Sequence, residues 1–382
     1  MPPTPKPLAE TLREEITQRG PMSFRDFMAR ALYDPMQGYY GAGRARVGRG
    51  GDFFTNVSVG PLFGRLLARQ FADMWRRLGE PGDFVLVEQG AHHGEAAADV
   101  LTALGDFDPL CFAATTLWLI EPLDTLRHAQ KQTLQRFAPD KVRWTETPAG
   151  LPEFRGVHYS NELLDAFPVH RVVWRGDHWK ERRVDLQDGQ FVFIDAEVTE
   201  EVLRAHLARL PAVPPDYETE VNLEVVPWVR EIGARLREGF ILVIDYGYPR
   251  AEYYRPERTI GTLSAYSAHR REPNPLARPG EIDLTAHVDF TSVGEAAGIA
   301  GLEIAGFTDQ HHFMVDLGRL HFPEVLPAGA ATEKELRAFK TLMHPGLLGR
   351  SFHALCLAKG VEHHSLPGFA FATAPERMLF GR

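Results

Sequence analysis

An apolar run that ends in an acid and turns at once through glycine constrains this chain more than any other feature. Phe84-Val85-Leu86-Val87-Glu88-Gln89-Gly90-Ala91-His92-His93-Gly94 reads as a buried strand, a carboxylate near its end and a tight turn. A helix-forming run, Glu95 to Leu104, follows without a gap. Strand, acid, glycine turn and helix together describe the way an open α/β sheet holds an adenosine-bearing cofactor.

Other segments repeat the strand-then-helix order. Leu117 to Ile120 ending in Glu121, Val142 to Thr145, Val157 to Ser160 followed by Asn161-Glu162, and Phe240 to Ile244 ending in Asp245-Tyr246-Gly247 are short apolar runs closed by polar residues. Leu123 to Phe137 and Pro227 to Arg237 have helical spacing and supply crossovers. Leu302 to Gly306 and Ser351 to Ala358 read as two more strands, an antiparallel pair at the sheet edge. Ahead of the sheet, Leu8 to Arg19, Phe24 to Leu32 with Ser23 as N-cap, and Val59 to Leu78 read as helices. Arg171 to Trp174, Trp179 to Leu186 and Gln190 to Ile194 alternate apolar and polar residues around Gly176-Asp177 and Asp188-Gly189, which is hairpin chemistry. Arg255 to Gly280 is rich in Arg, Pro and Gly and is expected to be irregular and partly mobile. The expected organisation is an N-terminal helical subdomain with a glycine loop over 1–80, then an α/β domain over 81–382 with insertions at about 170–225 and 250–290.

Composition narrows the partners. The net charge of −9 speaks against general nucleic-acid binding, which wants a basic face, yet allows a basic protein acceptor to be attracted. Two cysteines, Cys111 and Cys356, lie in apolar runs without a second thiol or a histidine at metal spacing, as reduced core thiols do. No apolar run reaches the roughly 18 residues of a membrane span. The proline-rich start lacks the apolar core of a secretory signal. The expectation is a cytoplasmic protein of bacterial style.

The chemistry concentrates at the strand ends. Glu88 can accept a bond from an ammonium group or from ligand hydroxyls; Gly90 permits the tight turn, and Gly94 lets the helix pack close to the strand. A dinucleotide site would read G-x-G-x-x-G, and from Gly90 this chain fails at two of three positions. The order E-x-G-x-x-x-G fits S-adenosylmethionine sites better. Glu121 can accept both hydroxyls of an adenosine ribose, or can simply be an acid opening a helix after Pro122. Ser160-Asn161-Glu162-Leu163-Leu164-Asp165-Ala166-Phe167-Pro168-Val169 places three polar side chains on one turn, able to hold a substrate nitrogen or the amino-acid end of the cofactor, or to act as a capping turn. Gly50-Gly51-Asp52-Phe53-Phe54-Thr55-Asn56 lacks the Lys-Ser/Thr of a phosphate loop; it is a glycine hinge able to close over a cofactor, or a surface loop. The histidine pairs at 92–93, 311–312 and 363–364 lack metal-ligand spacing, so no metal is expected. There is no G-x-S-x-G.

At these residues the chain resembles the MidA family of class I S-adenosylmethionine-dependent methyltransferases, whose mitochondrial member is a complex I assembly factor that methylates an arginine. Ser23-Phe24, Ala31 to Pro35 and Gly38-Tyr39-Tyr40 resemble the family's amino-terminal signature, and Gly51-Asp52-Phe53 with Thr55 its glycine loop. Asn161 to Val169 is close to its most distinctive block. Asp245-Tyr246-Gly247, Pro279-Gly280 and Asp283 to Phe290 complete the pattern in order. The resemblance implies a seven-stranded Rossmann-like methyltransferase sheet with an added helical subdomain, and methyl transfer to a protein arginine. It implies Glu88, Gly90, Gly94 and Asn161 at the cofactor, Glu121 on the ribose, Gly51, Asp52, Phe53 and Thr55 in the loop, and Glu162 and Asp165 near the acceptor, where carboxylates suit a guanidinium.

One departure carries weight. The family's turn reads E-x-G-x-G-x-G, and here the middle glycine is His92. A Cβ and a ring crowd the backbone approach that glycine allows. Either the turn takes another conformation with the imidazole pointing away, or cofactor affinity falls. The second outcome would make the chain a non-catalytic assembly or binding protein on a methyltransferase fold. A nicotinamide oxidoreductase is disfavoured by the glycine spacing.

Overall fold

The computed structural model describes residues 6–44, 55–267, 270–325, 332–344, 346, 348–362, 365–372 and 374–381. The chain forms two compact units, and each is assembled from separated segments: 1–53, 164–225 and 251–288 in one, 54–163, 226–250 and 289–382 in the other.

The second unit holds the sheet. Its strands are β1 (Phe84–Gln89), β2 (Thr115–Ile120), β3 (Val142–Thr145), β4 (Phe154–Asn161), β5 (Leu236–Tyr248), β6 (Glu303–Asp309) and β7 (Phe352–Lys359). They lie in the order β6-β7-β5-β4-β1-β2-β3. From β5 to β3 every pair is parallel, while β7 runs antiparallel to both β5 and β6. The two carboxyl-terminal runs are therefore the antiparallel edge pair that their apolar patterning announced. The chain leaves β1 toward β2 and β3, then returns to lay β4 on β1's other side. That reversal opens a crevice at the carboxyl ends of β1 and β4, where doubly wound sheets bind ligands.

Burial explains why these runs are strands. Phe84, Leu86, Val157, Tyr159, Phe240, Leu242 and Ile244 sit in one core with helix Leu62–Arg77, which contributes Leu66, Phe71 and Trp75. Helix Glu95–Phe107 adds Val100, Leu101 and Leu104 to the same core. The sequence grouping had placed the 62–77 helix with the amino-terminal helices; its apolar face belongs to the sheet unit instead. β5 starts at Leu236, directly after helix Val225–Arg235, four residues earlier than its most apolar stretch suggests.

The first unit builds on a smaller antiparallel sheet in which Met22–Ser23, Trp179–Gln187, His170–Trp174 and Tyr217–Val221 are neighbours in that order and Gln190–Glu197 pairs with Trp179–Gln187. The hairpin at Asp188-Gly189 has φ of 51° and 76°, the left-handed pair of a type I′ turn. Phe24 and Phe27 of helix Phe24–Tyr33 pack their rings on Phe193 and Phe191. Ser23 Oγ accepts from Asp26 N at 3.0 Å, the N-cap expected of it. Ser23→Ala should cost about 1 kcal/mol in chemical denaturation. Arg255 to Gly280 is not wholly irregular: Ser264–Ser267 pairs with both Asp283–Thr285 and Arg270–Arg271. Its few polar residues give no local strand signal, and the pairing is supplied by a partner strand further along the chain.

Candidate cofactor and acceptor site

The crevice of the sheet unit collects most of the residues singled out in the sequence. Gln89 of β1 is in register with Ser160 of β4, so the Glu88–Gly94 turn and the Asn161–Leu163 turn emerge side by side. Glu88 is 3% exposed, and its Oε2 has no hydrogen-bond partner. Burial pushes its carboxyl up to about 8; Glu95 and Asp99 push the same way. The Tyr159 hydroxyl, on the neighbouring strand in register with Glu88, opposes the shift without reaching hydrogen-bond geometry. A buried carboxyl left with an unmet acceptor costs stability, and this one lies where a ligand would meet it.

The turn that follows keeps a left-handed backbone at alternate positions, with φ of 81° at Gly90, 46° at His92 and 84° at Gly94. Gly90 is needed twice over, since a Cβ there would also lie 3.1 Å from Leu163 Cδ1. His92 does not force another conformation. It occupies the glycine conformation itself, which histidine adopts more readily than most residues. Its ring lies 3.9 Å from that of His93, centroid to centroid. Of the two alternatives for His92, the changed turn is not the one taken: the backbone is the one a glycine would take.

Glu121 ends the neighbouring strand β2 and is 4% exposed. Its Oε1 accepts from Leu123 N at 3.0 Å and its Oε2 from Gln130 Nε2 at 3.2 Å. Burial pushes this carboxyl up to about 7 against those donors and Arg127. Gln130 is the connection the sequence did not show. The same Nε2 donates to His92 O at 2.9 Å, and Trp144 Nε1 donates to Gln130 Oε1 at 3.1 Å. One buried amide ties the glycine turn to the acid of the next strand. A signal existed: Gln130 interrupts the buried stripe Leu126, Gln130, Leu134 of helix Asp124–Leu134. Gln130→Leu keeps the volume and removes all three bonds. It should lower affinity for S-adenosylhomocysteine about tenfold by calorimetry, the cost of letting both groups drift.

At the end of β4, Asn161 Nδ2 donates to Glu162 Oε1 at 2.9 Å. Glu162 has a left-handed backbone, φ 54°, and its N–H reaches Ile244 O at 3.0 Å. Leu163 N donates to Asp245 Oδ2 at 3.1 Å, and Asp245 is fully buried. The D-Y-G run thereby acts as the floor under the Asn161–Leu163 turn.

Other expected residues are placed differently. Asp165 belongs to the first unit, where its carbonyl accepts from Ala286 N at 2.9 Å and its charge helps raise the Tyr40 hydroxyl. Thr55 spends its hydroxyl on its own turn, with Oγ1 accepting from Ser58 N at 3.1 Å. Gly51, Asp52 and Phe53 lie outside the described residues, as do His363 and His364. Among the described residues, His92, His93 and Glu95 bring one ligand atom each within 4.8 Å of one another, a grouping the pairwise spacing of histidines did not suggest. No helix among the described residues is long and apolar enough to cross a membrane.

Residues 66–308 match the family of S-adenosyl-L-methionine-dependent methyltransferases. The chain belongs to this family. The methyltransferase is 27% identical over 385 residues to the protein arginine methyltransferase NDUFAF7 homolog, mitochondrial, of Drosophila melanogaster, covering 93% of this chain and 85% of that one. To the Mus musculus protein arginine methyltransferase NDUFAF7, mitochondrial, it is 28% identical over 401 residues, covering 95% and 86%. A Burkholderia thailandensis protein solved bound to S-adenosyl-homocysteine superposes with a TM-score of 0.85 at 33% identity, covering 97% of this methyltransferase and 98% of that chain. The enzyme's methyl donor is S-adenosylmethionine.

Proposed function

We propose that this enzyme methylates a protein arginine, with the cofactor held at the carboxyl ends of β1, β2 and β4. The residues present suit the donor. Glu88 offers a buried oxygen without a partner to a cationic ammonium group, and Glu121 offers a carboxylate to ribose hydroxyls at the end of the adjacent strand. Gly90 and Gly94 shape the turn between them, and Asn161 lies next to it. When bound, S-adenosylmethionine supplies an electrophilic methyl group whose transfer leaves a neutral thioether.

The observation that carries the acceptor reading is Glu162. Its Oε1 takes two N–H donors, from Asn161 Nδ2 at 2.9 Å and Asn56 N at 3.2 Å, which fix a carboxylate beside the cofactor turn. A guanidinium is always charged, and a fixed carboxylate can bind it and aim one nitrogen. Because the transferring methyl needs little activation, orientation supplies most of the effect. The arginine methyltransferase names of the relatives support the same acceptor class. The resemblance to an assembly factor directs the search toward subunits of respiratory complexes. Asp165 has no part in this reading.

The test is incubation with isotopically labelled S-adenosylmethionine and arginine-containing candidate proteins, followed by peptide mass spectrometry. Label on arginine nitrogen, abolished by Glu162→Gln with S-adenosylhomocysteine affinity retained, is the expected result. Label confined to lysine or carboxylate side chains would overturn the arginine assignment.

A further inference from the structure

Two fully buried amides, Asn56 and Gln310, sit behind the Asn161–Glu162 turn in the same unit. They are 254 positions apart in the chain and interlock in both directions. Asn56 Nδ2 donates to Gln310 Oε1 at 2.9 Å, and Gln310 Nε2 donates to Asn56 Oδ1 at 2.8 Å. The remaining protons are also placed. Gln310 Nε2 reaches Leu342 O at 3.0 Å, and Asn56 Nδ2 reaches Asn161 Oδ1 at 2.8 Å.

This network has one polarity. The Leu342 carbonyl can only accept, so it fixes which end of Gln310 is the amino group. That fixes Asn56, and Asn56 fixes Asn161. Reversing the Asn56 amide would set its oxygen against the oxygens of both Gln310 and Asn161. With its oxygen engaged, Asn161 must present Nδ2 to Glu162 Oε1, and Asn56 N adds a second donor to that same oxygen. The end of the relay is a residue in a conformation that disfavours side chains, φ 54° at Glu162. Strained positions persist where their surroundings over-determine them. Interior amides are costly unless every donor and acceptor is met. Here three side chains, Gln310, Asn56 and Asn161, are spent on fixing one carboxylate.

We propose that Asn56 and Gln310 are positioning residues, an amide clamp that sets the orientation of Asn161 and Glu162 toward the reacting end of the cofactor. The proposal rests on the cofactor reading given above. S-Adenosylmethionine and S-adenosylhomocysteine differ only by the methyl group and the charge on sulfur, so their relative affinity reports on groups near that end.

The experiment is calorimetric titration of the parent, Asn56→Ala and Gln310→Glu with each ligand separately, alongside thermal unfolding without ligand. Gln70→Ala is the control. Gln70 is also a fully buried amide of this unit, and it accepts from Gly368 N at 2.8 Å. The clamp predicts a loss of about tenfold in S-adenosylmethionine affinity for both clamp variants, with the ratio of the two ligands shifted about threefold or more. Gln70→Ala should lose stability and keep both affinities. If the clamp variants fold and bind both ligands as Gln70→Ala does, the positioning role falls while the cofactor reading stands. If neither clamp variant folds although Gln70→Ala does, the pair is a folding element and the proposal falls. If the parent binds neither ligand, both readings fall together.

Discussion

Glu88→Gln is expected to make the free protein more stable and a poorer host for S-adenosylmethionine. The carboxyl of Glu88 is pushed from an ordinary 4.5 up to about 8, chiefly by burial. A group raised in this way contributes stability fully below its unfolded value and loses it as pH rises through about 8. At pH 7 the folded state therefore holds a proton that the unfolded state has released, at a cost on the order of 3 kcal/mol that a glutamine would not bear. Thermal unfolding should show little gain for the variant at pH 5 and several degrees at pH 8. Binding should move the other way. An ammonium group favours the ionised carboxyl, so parent affinity should fall as pH drops below about 8, approaching tenfold per unit. Glu95, Asp99 and Tyr159 surround this group, and Asp99 is itself raised to about 6, so the lower end of the profile will carry its titration too. Glu121, raised to about 7, adds a second step if the ribose hydroxyls prefer its ionised form. Glutamine should flatten the Glu88 step and weaken binding about tenfold at pH 8. Equal affinities for parent and variant at pH 8 would remove Glu88 from the cofactor site.

His92 gives the second large effect, through the contrast between two substitutions. Its φ of 46° is already the conformation glycine would adopt. His92→Gly should therefore leave S-adenosylhomocysteine affinity within about threefold of the parent and change stability by less than about 1 kcal/mol. His92→Val places a β-branched side chain in the left-handed region, where it is a genuine outlier. The turn should then rearrange, breaking the Gln130 bond to His92 O and lowering affinity about tenfold or more. A large rise in affinity for the glycine variant would show that the imidazole, and not the backbone, obstructs the site.

Much of the sheet could be read in advance because each strand is a short apolar run ended by a polar residue, and the sheet buries both faces of its parallel strands. Glu88, Glu121 and Asn161 were legible for the same reason, as polar residues where such runs stop. What stayed hidden depends on distant partners. Ser264–Ser267 becomes a strand against Asp283–Thr285, further along the chain, as well as against Arg270–Arg271. Helix Gln310–Val325 opens with Gln-His-His and contains Pro323, which masks its buried face of Phe313, Met314 and Leu317. Asn56, Gln130 and Gln310 look like ordinary polar residues until the fold encloses them. Three residues beyond Glu162, at Asp165, the chain has already passed into the other unit, a crossing that the continuous block Asn161 to Val169 does not announce.

That weaving of the chain has a consequence for synthesis. The core of the first unit joins Leu8, Leu12, Ile16 and Phe27 to Val184 and Phe191, and then to Leu276, Ile282 and Leu284. It is complete only once residue 288 or so has left the ribosome. At about 5–20 residues per second, the core around the first two helices stays incomplete for roughly 12–50 s. A nascent chain stalled before that point should be held by chaperones or cut by proteases, and one stalled after it should be spared.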